Sequence, residues 1–142
     1  MSEPLPVRGV LLAHGEMAAG IVDAVRQITG AGPDVVVPLS NRGLSPESLA
    51  ARLRELIGGV PAILFTDLPA GSCGFAARML AREASQLVVI SGVNLPVLLE
   101  FVLSRDLPLR ELVPRLLSKG RASIGCAPAG FESHGDRAVS GG

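Results

Sequence analysis

The apolar and polar positions of this chain alternate between two periods, and the alternation repeats four times. Residues 7–13, apolar apart from Arg8, read as a parallel strand covered on both faces. From Glu16 the pattern changes. Met17, Ile21, Val25 and Ile28 recur at spacings of four and three, with Glu16, Asp23, Arg26 and Gln27 between them. That pattern predicts an amphipathic helix, closed by Gly30 and Gly32. Val35-Val36-Val37 reads as a second strand ended by Pro38, and Asn41 to Leu44 as a loop. Ser45-Pro46-Glu47 supplies an N-cap, a first-turn proline and an early acid. The helix that follows presents Leu49, Leu53, Leu56 and Ile57 and stops at Gly58-Gly59.

The same alternation continues downstream. Ala62 to Thr66 is the third strand and Asp67 to Gly74 a loop of small and polar residues. A helix is predicted from Phe75 to Glu83, with Ala76, Met79 and Leu80 facing inward. Leu87 to Ile90 is the fourth strand, and Ser91 to Asn94 leads into a helix that buries Leu98, Leu99, Val102 and Leu103, capped near Asn94 or Leu95. A fifth helix is expected over 109–119, either starting late so that Pro114 falls in its first turn, or kinking there. Arg121 to Cys126 leaves room for one more short edge strand, and 127–142 reads as a flexible tail.

Strands alternating with helices predict an α/β domain, a three-layer, doubly wound parallel sheet with helices on both faces. The expected strand order is 2-1-3-4, which places a topological switch point between the first and third strands. Ligands bind beyond the carboxyl ends of the strands at such a point, and the two loops meeting there carry His14 and Asp67.

Composition narrows the chemistry. The chain has 142 residues, enough for one domain that buries roughly two-thirds of its unfolded surface. It has no Trp or Tyr and four Phe, so the core must be aliphatic. Thirteen basic residues balance thirteen acidic ones, and no basic patch with stacking aromatics is visible, so nucleic acid is not an expected partner. No apolar run reaches the ~18 residues of a membrane span, and the N-terminus is unlike a signal peptide. Cys73 and Cys126 have no metal-ligand spacing and read as free thiols in a reducing cytoplasm.

His14 is one of two histidines; the other, His134, falls in the predicted tail and reads as inert. Taken singly, His14 could be a loop residue and Asp67 a helix cap. Converging at a switch point, they match a nucleophilic imidazole whose other nitrogen is held by a carboxylate, which fixes the tautomer and stabilises developing positive charge. Gly71-Ser72-Cys73-Gly74 supplies backbone N–H groups at a helix start, where an anion such as phosphate binds readily, although Ser72 also reads as a plain N-cap. No Walker motif and no G-x-G-x-x-G is present, so ATP and dinucleotide cofactors are not expected. Ser72 as a hydrolase nucleophile is disfavoured because five residues separate it from its strand; Cys73 as a thiol nucleophile has no supporting motif. Arg78 and Arg82 read as a solvated helix face.

Three stretches, 9–15 around His14, 65–72 around Asp67 and 91–96 around Asn94, together resemble signature regions of the IIA component of the mannose/fructose/sorbose-type sugar phosphotransferase system. The resemblance covers about residues 7–125 and implies a IIA domain over 1–126 that is cytoplasmic and homodimeric. It further implies phosphotransferase activity without a cofactor or metal. His14 would accept a phosphoryl group from phosphorylated HPr and pass it to a IIB protein, Asp67 would orient the imidazole, and Gly71, Ser72 and Gly15 would contact the phosphate. Such a protein would meet the membrane only through IIC and IID components. The family loop often reads aspartate, two residues, two glycines, then serine and proline; here Pro69-Ala70 and Cys73-Gly74 depart from it. With no IIB segment following, IIB is expected on a separate polypeptide, or the chain serves a regulatory relay. The related subunit that feeds dihydroxyacetone kinase and a non-catalytic, partner-binding regulator are the alternative readings.

Overall fold

The computed structural model describes residues 5–131. The elements are β1 (Arg8–Ala13), α1 (Met17–Thr29), β2 (Val36–Ser40), α2 (Pro46–Ile57), β3 (Ala62–Thr66), α3 (Gly71–Ala81), β4 (Leu87–Ser91), α4 (Leu95–Ser104) and α5 (Leu109–Ala122). The four strands form one parallel sheet in the order β2-β1-β3-β4, as the alternating pattern predicts.

Side chains alternate across β1 and divide the core in two. Leu11 and Ala13 face Val22 and Val25 of α1, Leu98 and Phe101 of α4 and Leu112 and Leu116 of α5. Val10 and Leu12 face Leu49 and Leu53 of α2 and Ala76, Ala77 and Leu80 of α3. Both faces of the two central strands are therefore dry from Gly9 to Ala13 and from Ala62 to Phe65, which explains why those stretches carry no charged residue. Phe65 meets Phe101 edge to face, with ring centroids 5.2 Å apart.

Capping follows the sequence closely. The Ser45 hydroxyl accepts the Ser48 N–H at 3.1 Å and Pro46 opens α2. The Asn94 side chain caps α4 by accepting the Val97 N–H at 3.1 Å, and its amide donates to the Gly120 carbonyl at 3.1 Å. Gly30 and Gly58 end α1 and α2 in the left-handed conformation.

Several expectations are corrected. Pro38 does not end β2, which runs on to Ser40; β2 is an edge strand, and a proline there removes no shared ladder bond. The buried face of α1 is Ala18, Val22 and Val25, whereas Met17 and Ile28 are exposed. Small side chains let α1 approach the sheet, so the bulkier stripe is rotated outward. In α3 the buried residues are Cys73, Ala76, Ala77 and Leu80, and Met79 is partly exposed. α4 buries Val97, Leu98, Phe101 and Ser104, with Leu99 and Val102 half-buried and Leu103 in solvent.

α5 neither starts late nor places Pro114 in its first turn: Pro114 lies inside it. The position is tolerable because Pro114 and Arg110, whose carbonyl loses its partner, are both exposed while Leu112 and Leu116 face the core. The edge strand considered for Arg121 to Cys126 is not present. Arg121 and Ala122 complete α5, and 124–126 have no regular structure. Of the predicted tail, 127–131 are described and His134 lies outside the described residues.

Candidate functional site

Strand register builds the site. Leu12 pairs with Thr66 across β1 and β3, so the residues just past each strand, His14 and Asp67, emerge at the same edge of the sheet. Asp67 Oδ2 lies 2.8 Å from His14 Nδ1 and accepts the His14 backbone N–H at 2.9 Å. Its Oδ1 accepts the Leu68 N–H at 2.9 Å. Three donors thus converge on one carboxylate, and Asp67 does not cap α3.

Burial pushes the Asp67 carboxyl up. The backbone N–H of His14, its ring N–H and charge, and the Leu68 N–H outweigh that effect and hold it below the usual aspartate value. The carboxylate is ionised at neutral pH and demands a proton on Nδ1. The lone pair of the imidazole is therefore on Nε2. The His14 side chain is 43% exposed and that of Asp67 is 8% exposed, so the ring faces solvent over a shielded anchor.

Nε2 points toward the start of α3. A Cβ on Gly71 would lie 3.8 Å from Nε2 and 3.7 Å from Cε1, and Gly71 has φ +83°, a conformation that favours glycine. α3 begins at Gly71 with Ala70 at the N-cap and no side-chain capping bond, so it starts four residues earlier than predicted and Ser72 sits in its first turn rather than at its cap. Uncapped first-turn N–H groups and the helix dipole give this end of α3 affinity for an anion beside the imidazole.

The loop from Asp67 to Ala70 is folded back on α3. A Cβ on Gly74 would stand 2.4 Å from the Pro69 carbonyl oxygen and 3.2 Å from that of Leu68. Arg78 donates to the Pro69 carbonyl, so this exposed arginine ties down the loop rather than merely coating the helix. The Thr66 hydroxyl donates to the Leu68 carbonyl at 3.0 Å and stands 2.9 Å from the Ser91 hydroxyl. Gly74→Ala should lower stability by about 1–3 kcal/mol, because backbone must move to admit one methyl group. Urea unfolding checks this: the midpoint should fall with an unchanged slope, and an unchanged midpoint would mean the loop yields freely.

Cys73 is buried with its Sγ 3.9 Å from His14 Nδ1. Burial and then the Asp67 charge push its thiol up, partly offset by Ser72, so it remains protonated and a poor nucleophile. His14, Asp67 and Cys73 bring three donor atoms within 4.8 Å of one another. Here Nδ1 and Oδ2 are turned onto each other and the thiol keeps its proton, which suits a hydrogen-bonded pair better than a metal centre.

Two residues beside the segment that follows His14 escape a reading of the sequence. Asn41 Oδ1 accepts the Gly15 N–H at 3.3 Å, and Arg42 Nη1 lies 3.0 Å from Glu16 Oε1. The strand order alone would have placed the β2 exit beside that of β1. Ending β2 at Pro38 hid how close Asn41 and Arg42 lie to the strand terminus.

Comparison with known proteins gives a consistent picture. The family model for the PTS system fructose IIA component matches residues 9–113. The sorbose-specific EIIA component of Klebsiella pneumoniae is 31% identical over 99 residues, covering 68% of this chain and 73% of that protein. Among solved structures, a phosphotransferase system EIIA component from Streptococcus agalactiae superposes with a TM-score of 0.79 at 25% identity, over 84% of this chain and 96% of that one. A mannose/sorbose-specific IIA subunit from Enterococcus faecalis has the same fold, with a TM-score of 0.77 at 23% identity over 89% of this chain and 98% of that one.

Proposed function

Since the chain belongs to the fructose/mannose/sorbose IIA family of the sugar phosphotransferase system, we propose that His14 is its phosphoacceptor, taking a phosphoryl group from phosphorylated HPr and passing it to a IIB protein. The observation that carries this reading is the 2.8 Å contact between Nδ1 and Asp67, which in the neutral ring puts the lone pair on Nε2, beside Gly71 and the start of α3.

The step needs little covalent machinery. The Nε2 lone pair attacks phosphorus in line, the donor's bond to phosphorus breaks, and the donor leaves with that electron pair. The ring then carries phosphoryl on Nε2 and hydrogen on Nδ1, and its positive charge is paired with Asp67. Onward transfer reverses the electron flow: the N–P bond breaks and its pair returns to Nε2. The amides of Gly71 and Ser72 on one side, with Gly15 flanking the ring, hold the phosphoryl oxygens, and catalysis is mainly positioning and charge stabilisation.

Family membership supports the remaining parts of this reading: a IIA domain over 1–126, a homodimer, and a cytoplasmic location that meets the membrane only indirectly, through IIC and IID components. Among the described residues no helix is long and apolar enough to cross a membrane. Incubation with phosphorylated HPr should give one acid-labile phosphohistidine, mapped to His14 by mass spectrometry and chased onto IIB. Label on any other residue would reject the assignment.

A further inference from the structure

We propose that Arg42 is the cation that closes on the phosphoryl group carried by His14, an inference that rests on His14 being the phosphoacceptor. The Asn41-Arg42 turn is stitched to the exit of β1. The Asn41 N–H donates to the Ala13 carbonyl at 3.3 Å, and the Asn41 side chain accepts the Gly15 N–H at 3.3 Å. The Arg42 N–H donates to the Ser40 hydroxyl at 3.2 Å. The backbone of Arg42 is thus placed against the residue that follows His14.

The guanidinium lies against Gly15, the residue after His14, and is held loosely. Its Nη2 is 3.4 Å from where a Gly15 Cβ would be, and glycine at 15 leaves that space clear. Its partner is Glu16, at 3.0 Å, and the two side chains are 65% and 85% exposed. An ion pair so solvated contributes little and exchanges readily. The other guanidinium tied to the site's loops, that of Arg78, is committed to the Pro69 carbonyl.

Charge balance supplies the reason. This edge holds two carboxylates, Asp67 bonded to the ring and Glu16 two residues further along the chain, paired with Arg42. A phosphoryl group adds further negative charge to this edge. The α3 amides offer only partial positive charge. A planar guanidinium that can grip two phosphoryl oxygens binds them better than it binds a single solvated carboxylate oxygen. Arg42 exchanges Glu16 for the phosphoryl group, or bridges the two.

The test is a phosphorus NMR titration of phosphorylated His14 in the wild type, Arg42→Ala, Arg42→Lys and Glu16→Gln, with phosphotransfer rates measured alongside. The phosphoryl group is loaded from phosphorylated HPr or, independently, from phosphoramidate, whose P–N bond breaks as Nε2 takes the phosphorus and ammonia leaves. Arg42→Ala should move the phosphoryl titration to higher pH and slow transfer about tenfold or more. Arg42→Lys should fall between, and Glu16→Gln should move the titration the opposite way. An unmoved titration in Arg42→Ala overturns the proposal; slower transfer without that movement also overturns it, assigning Arg42 to partner docking. Loading from phosphoramidate but not from HPr rejects the HPr reading and leaves Arg42 judged by the titration. Failure of both donors rejects both.

Discussion

Alanine at position 14 should leave the protein folded and unable to take label from phosphorylated HPr. His14 lies past the end of β1, and its side chain is 43% exposed, so its removal opens no cavity in either half of the core. The cost is the loss of one partner of Asp67, whose carboxylate keeps the His14 backbone N–H and the Leu68 N–H. Circular dichroism should therefore be unchanged while labelling falls to background. The nearest thiol is a poor substitute, because Cys73 is buried and its pKa is pushed up by burial and by the Asp67 charge. Undiminished labelling of His14→Ala would remove His14 from the mechanism.

The second large effect is expected from Asp67→Asn. Asp67 accepts three N–H groups, two on Oδ2 and one on Oδ1. An asparagine has one oxygen and one NH2 group, so at least one of these donors must face another donor. The imidazole can relieve this by moving its proton from Nδ1 to Nε2, which removes the lone pair proposed to attack phosphorus. Phosphotransfer should fall on the order of 10²–10⁴-fold, the range in which orienting carboxylates and correct tautomers act. A rate within twofold of wild type would show that the carboxylate does not set the tautomer.

The same variant carries a pH signature. The Asp67 carboxyl is held below its ordinary value in the folded protein. Its ionisation therefore adds stability that is fully present above the unfolded-state value of about 3.9 and is lost as pH falls through the lower folded-state value. Urea midpoints of wild type and Asp67→Asn should differ at neutral pH and draw together as pH falls below about 4. A constant difference across that range would contradict the linkage.

The architecture was legible because buried parallel strands must be apolar on both faces and helices on one. The runs at 7–13 and 62–66 became the two central strands, and their neighbours became β2 and β4. Helix faces were harder to read. In α1 the large residues Met17 and Ile28 suggested the buried stripe, yet Ala18 and Val22 occupy it. Periodicity ranks residues by hydrophobicity, whereas packing against a sheet also selects for close approach. Pro114 was ambiguous because its cost depends on whether the carbonyl it strands is exposed, which only the folded helix reveals.

The sequence by itself determined the order of strands and helices, the switch point, and the pairing of His14 with Asp67. These follow from hydrophobic period and connection rules, which act along the chain. Only the tertiary structure decided the direction of the imidazole, the early start of α3 at Gly71, the clamp of Arg78 on the loop and the arrival of Arg42 beside Gly15. Each of these depends on side chains or turns from different loops meeting within hydrogen-bonding or contact distance. Strand register and sheet twist set such distances, and no local pattern of residues records them.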